Sequence, residues 1–135
     1  VSMLAESCGI SETYFRKLFQ RVYGLSPMDY ITNQRISYAR ELLTNTVLSV
    51  EYISYDSGYK DPTYFCRIFK KATGQTAMQY LTDYRLKIAD VILKGSNKSV
   101  AEIAAMCGFE DEGYFCRCYK RKFGDPPGKS RLEKN

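Results

Sequence analysis

A pattern returns every fifty residues in this chain, three times over. Tyr14-Phe15, Tyr64-Phe65 and Tyr114-Phe115 are each followed, at one fixed distance, by Gly24, Gly74 and Gly124. A regular period of this size marks a tandem array of one supersecondary unit, because a unit so small buries too little surface to stand alone. The 135 residues are therefore expected to form a row of three units, at 1–45, 46–95 and 96–135, and not one large core.

A basic stretch sits at the same place in every copy. Residues 14–23, 64–73 and 114–123 hold Arg16, Lys17, Arg21, Arg67, Lys70, Lys71, Arg117, Lys120, Arg121 and Lys122 without one acid, which is half of the 20 Lys and Arg. The net charge of +5 divides as +1, +2 and +2 over the three units and fits a partner bearing negative charge. Five cysteines, an odd number, argue for reduced thiols and a cytoplasmic location over a disulfide frame. No apolar run approaches membrane-spanning length, so no membrane partner is expected. The chain opens on Val1, inside what the other copies show to be a helix, and is expected to be a piece of a longer protein. A small-molecule effector, if the parent has one, is expected to bind a part outside these residues.

Each copy carries the local signals of two short helices around a glycine. In the third, Ser99-Val100-Ala101-Glu102 has the form of a capping box and opens a helix with Val100, Ile103, Ala104 and Cys107 on its apolar side. Gly9, Gly58 and Gly108 then supply the positive φ of a tight turn. Ser11, Asp61 and Asp111 are suited to cap the second helix, with Pro62 at a first helical position. Its expected buried stripe is Tyr14, Phe15, Leu18, Phe19 and Val22, repeated by Tyr64, Phe65, Ile68, Phe69 and by Tyr114, Phe115, Cys118, Tyr119. Between copies a longer helix opens at Ser26-Pro27 or Thr76, stops near Asn45 or Gly95, and has an apolar side of its own. No segment sustains a two-residue alternation. The expected fold is all-α: tandem helix-turn-helix units, each homeodomain-like and three-helical, joined by long linker helices. The tail from Lys129 to Asn135 is expected to be disordered.

If the aromatic stripe of the second helix faces inward, its opposite face carries Thr13, Arg16, Lys17 and Gln20, at i, i+3, i+4 and i+7. The matching sets are Thr63, Cys66, Arg67, Lys70 and Gly113, Cys116, Arg117, Lys120. The major groove of duplex DNA admits one helix, where Arg or Lys donates to guanine O6 and N7 and Thr touches a thymine methyl. These twelve residues are the candidate base readers; Arg21, Lys71, Arg121 and Lys122 lie further along and suit phosphates. A single basic amphipathic helix is as often a solvated surface, but three in register shift the balance toward DNA. Glu12 and Glu112 fit the positive end of the helix dipole better than a cytosine contact.

Other chemistries find little support. The chain has no histidine, no paired carboxylates in a plausible pocket and no glycine-rich phosphate loop, so it is not expected to be an enzyme. Cys107, Cys116 and Cys118 lack the spacing of a zinc finger and a fourth ligand; they read as structural thiols, and no metal or other cofactor is expected. The 12 Tyr and 7 Phe are explained mostly by the repeated stripe and not by stacking on single strands. A helical interaction module that contacts RNA polymerase or a second copy of itself stays open as the alternative.

The strings Leu4-Ala5-Glu6 with Gly9-Ile10-Ser11, Tyr14-Phe15 to Phe19, Gly24-Leu25-Ser26-Pro27 with Tyr30, Arg35 to Leu43 for the linker, Gly58-Tyr59 with Asp61-Pro62, Tyr64 to Lys71 with Gly74, and Ile103-Ala104 to Cys107-Gly108-Phe109, Tyr114-Phe115 to Tyr119, Gly124 and Pro127 run along nearly the whole chain. In them it resembles the AraC/XylS transcription regulators, whose DNA-binding region looks like two helix-turn-helix units joined by a long helix. The resemblance implies sequence-specific binding to double-stranded DNA in successive major grooves, two reading helices about 34 Å apart along it, and control of transcription. This chain has three units where that family has two. Residues 1–95 and 46–135 could each pass as a family domain sharing the middle unit, and which pair docks stays open.

Overall fold

The computed structural model describes the backbone of residues 1–134 and the side chains of residues 1–131. Among the described residues every regular element is a helix: α1 (Ser2–Ser7), α2 (Glu12–Tyr23), α3 (Pro27–Asn45), α4 (Val50–Asp56), α5 (Pro62–Thr73), α6 (Ala77–Gly95), α7 (Val100–Met106), α8 (Glu112–Phe123) and α9 (Pro127–Lys134). The starts follow the sequence signals. The hydroxyls of Ser26, Ser49 and Ser99 accept from the backbone N–H three residues on, and Pro27 takes the first position of α3, where a missing N–H costs nothing.

The chain divides into two compact units, Val1–Ala77 and Met78–Asn135, with a boundary at the start of α6. The first two expected units ended with a long helix, and α3 packs on α2 before it as well as on the pair that follows it. In the first unit α3 lies on α4 and α5. In the second, Leu86, Ala89 and Leu93 of α6 join Ile103, Ala104, Phe109, Phe115 and Tyr119 in one core. The reason is the stripe itself. Ile36, Ala39 and Leu43 and their counterparts Leu86, Ala89 and Leu93 recur at i, i+3, i+7 and are all buried, with Ala39 and Ala89 small enough for close helix approach. Two three-helix sets result, α3–α5 and α6–α8.

Each long helix also carries an arginine to the turn of its set. At Gly58, where φ is +97°, an added Cβ would lie 3.0 Å from Arg35 Nε; at Gly108, φ +87°, it would lie 3.1 Å from the Arg85 guanidinium. Glycine is needed twice over there, for its left-handed backbone and for the space. The Arg35 guanidinium then lies 5.4 Å from the ring centre of Tyr59.

Three expectations are corrected. Tyr14, Leu18 and Val22 are exposed, Val22 at 67%, and α2 has no fully buried residue. Among the described residues no helix stands before α1 as α3 and α6 stand before α4 and α7, so Phe15 and Phe19 are only half-buried. Tyr64 and Tyr114 are each 47% exposed, because Phe65 and Phe115 one residue on fill the core completely and leave the tyrosines at its edge. Finally, Lys129–Lys134 is helical and not disordered: Lys129 pairs with Asp125 at 3.3 Å, and Arg131 Nε donates to the Leu93 carbonyl at 3.0 Å. Asn135 lies outside the described residues.

Candidate nucleic-acid interface

The second helix of each pair is built to one length by local chemistry. α2, α5 and α8 each run twelve residues and end where Gly24, Gly74 and Gly124 adopt φ of +74°, +82° and +93°. Their starts differ. Asp61 and Asp111 accept from the N–H two residues on, that of Thr63 and of Gly113, both at 3.0 Å. Ser11 accepts from Tyr14, three residues on, at 3.1 Å. The turns leading in differ as well: only Gly9 and Ile10 separate the caps Cys8 and Ser11, whereas residues 58–60 and 108–110 lie between Ser57 and Asp61 and between Cys107 and Asp111.

Burial then fixes which face is offered. Phe65 and Phe69 are 0% exposed, as are Phe115 and Tyr119, with Cys118 beside them. The opposite faces carry Thr63, Cys66, Arg67, Lys70 and Gly113, Arg117, Lys120, all exposed; Thr13, Arg16, Lys17 and Gln20 are exposed on α2. Arg21, Lys71 and Arg121 are exposed in the last turns, where a cation also suits the negative end of the helix dipole.

Three of the sequence-derived site residues are less free than their spacing suggests. Arg16 is held by Glu12 at 2.6 Å. Cys116 is half-buried against the core, which pushes its thiol up, with Glu112 adding to the effect. Lys122 forms an ion pair with Asp83 of α6, and that bond, followed by Lys87, lowers the Asp83 carboxyl below its ordinary range.

Sequence reasoning missed two kinds of support. Tyr64 and Tyr114, assigned to the core, flank the candidate base readers: Arg67 lies 5.8 Å from the Tyr64 ring centre and Arg117 5.9 Å from that of Tyr114. Arg117 also stands 3.9 Å from Asp111. A guanidinium resting on an aromatic face keeps its charge and its donors while losing rotamer freedom. Arg35, placed by sequence only in the linker string, and Arg85, not singled out there, brace the turns at Gly58 and Gly108. Both features repeat at fifty residues, and that recurrence was the available signal.

Short helices whose aromatic backs are hidden and whose fronts present arginine and lysine can enter the major groove, donate to base edges and hold phosphates with their last turns. The fold defines a helix-turn-helix protein. Comparison with known proteins gives the family. The profile of a helix-turn-helix domain matches residues 4–77 and again 62–133. The chain is 39% identical over 59 residues to the virulence regulon transcriptional activator VirF of Yersinia enterocolitica; the match covers 44% of this chain and 22% of that protein. Among solved structures, the C-terminal domain of the two-component response regulator yesN from Fusobacterium nucleatum is 32% identical with a TM-score of 0.57, over 59% of this chain and 78% of that one. The DNA-binding domain of AdpA, a global transcriptional factor solved in complex with a target DNA, is 26% identical with a TM-score of 0.62, over 76% and 90%. The chain belongs to the AraC-type helix-turn-helix family.

Proposed function

We propose that this chain binds double-stranded DNA sequence-specifically by laying the outward faces of its reading helices in major grooves, and regulates transcription by doing so. The single observation behind this reading is the exposed Arg67 and Arg117, each opposite a fully buried phenylalanine at the same register of its helix. Arg67, Lys70, Arg117 and Lys120 are the principal base readers, with Thr13, Arg16, Lys17 and Gln20 in the same role on α2. Thr63, Cys66, Gly113 and Cys116 set the apolar and close-approach contacts. Arg21, Lys71 and Arg121 hold phosphates. Lys122 joins them only by giving up Asp83. The chain does no covalent chemistry in this reading and acts where the DNA is, in the cytoplasm.

The test is a titration of binding to duplex DNA at several salt concentrations with sequence-unrelated competitor. Each phosphate neutralised contributes about −0.9 to the slope of log affinity against log salt, so Lys71→Ala and Arg121→Ala should each flatten it by about one. A flat response overturns the proposal. A second set of variants separates the alternative reading: a module that contacts RNA polymerase or a second copy would keep its complex after Lys17, Arg67 and Arg117 are changed to Ala.

A further inference from the structure

We infer that α5 and α8 read the same short base-pair element, so that the binding site of this chain contains that element twice, while α2 reads something else. The inference rests on the base-reading role proposed above and adds what the two helices select.

The outward sets of α5 and α8 agree where it matters. Cys66, Arg67 and Lys70 recur as Cys116, Arg117 and Lys120, and Lys71 recurs as the equally cationic Arg121. The corresponding residues of α2 are Arg16, Lys17, Gln20 and Arg21. Identity of residues would mean little if the helices presented them differently, but presentation is matched as well. Asp61 and Asp111 start their helices with nearly the same backbone, φ −123° and ψ 113° against φ −122° and ψ 119°, and each accepts from the N–H two residues on. Three residues separate the caps of each turn, and an arginine from the long helix packs on the turn glycine in both. The two reading guanidinium groups rest on their tyrosines at 5.8 and 5.9 Å.

On each count α2 departs. Its turn is one residue shorter, its cap is Ser11 with φ −70°, and its Arg16 is tied to Glu12. Donors in the same register, each resting on the tyrosine three residues before it, select the same base edge. For arginine in the major groove that edge is guanine O6 and N7.

One position breaks the match and supplies an internal control. Thr63 carries a methyl that can touch thymine, whereas Gly113 has no side chain. An added Cβ at Gly113 would meet its nearest neighbours, the side-chain atoms Arg117 Nη1 and Asp111 Oδ1, at 3.4 Å, so a side chain can start there without moving backbone. The two copies of the element should thus differ at one base pair, specified by α5 and left open by α8.

The experiment is selection of bound duplexes from a random library by the whole chain, followed by affinity measurements on the recovered site with four variants. The expected result is one guanine-containing element occurring twice. Arg67→Ala should remove the guanine preference in one copy and Arg117→Ala in the other, each weakening binding roughly five- to hundredfold. Gly113→Thr should add selection for thymine in the copy that Arg117 reads, and Lys17→Ala, which removes a reader of α2, should weaken binding without altering the base preference of either copy. A site with two dissimilar elements, or arginine variants that alter the same copy, overturns this inference and leaves DNA reading intact. Recovery of no preferred sequence at all overturns the base-reading proposal and this inference with it.

Discussion

Tyr119 is fully buried, and its hydroxyl donates to Asp90 at 2.6 Å. Burial first, and the Asp90 bond second, push its phenol up to about 12 from the ordinary 10. The stabilised form is the protonated one, so its contribution is complete below pH 10 and disappears as pH rises toward 12. A rise of that size corresponds to about 2 to 3 kcal/mol. Thermal melting followed against pH should show the Met78–Asn135 unit losing that much stability across this window. Tyr119→Phe should abolish the step, at a cost of about 1 kcal/mol at neutral pH for the lost bond. Phe69 already stands at that place in the first unit. Asp83 behaves oppositely: Lys122 lowers its carboxyl, so its contribution is present above its ordinary value of 3.8 and is lost as pH falls further. Sequence placed Tyr119 on a buried stripe correctly but gave no sign of Asp90, because a partner 29 residues away is chosen by packing and not by any local pattern.

Among the elements, the turns make the sharpest comparison. Gly74 and Gly58 both have positive φ, but an added Cβ has open space at Gly74 and meets Arg35 at Gly58. Gly74→Ala should cost about 1 kcal/mol of backbone strain, and Gly58→Ala more, since Arg35 must also leave Tyr59. Denaturant melts of the two variants check the order. Helix starts, stops and apolar faces were legible because caps, glycines and periodicity act over a few residues. The partner of each face was not. Ile36, Ala39 and Leu43 announce that α3 buries one side, yet nothing in their spacing says that the cover is α4 and α5. The same limit hid the exposure of α2, whose stripe matches that of its sister helices in spacing and lacks their cover. Amide exchange should therefore be faster in α2 than in α5 by about the difference between local and global opening.

For the whole molecule, the charge is modest but ordered, with half of the basic residues in three windows of ten. That order, together with the fifty-residue recurrence, makes DNA the partner expected from sequence. Exposure of the arginines and complete burial of Phe65 and Phe115 agree with it. What the windows did not reveal is which cations are already spoken for, as Lys122 is by Asp83 and Arg16 by Glu12, since both acids lie outside the windows. Replacing Lys71 and Arg121 together should lower affinity for specific and unrelated duplexes alike and reduce the salt slope by about two, readable in one anisotropy series.

The two-residue connection between Cys8 and Ser11 has an engineering consequence. Rewriting α2 with Arg16→Cys, Lys17→Arg and Gln20→Lys would give three helices one alphabet, but the graft would not inherit the grammar. Shortening the lead-in by a residue re-aims the cylinder it introduces, so the transplanted letters would meet a different stretch of the groove until the missing residue is restored as well.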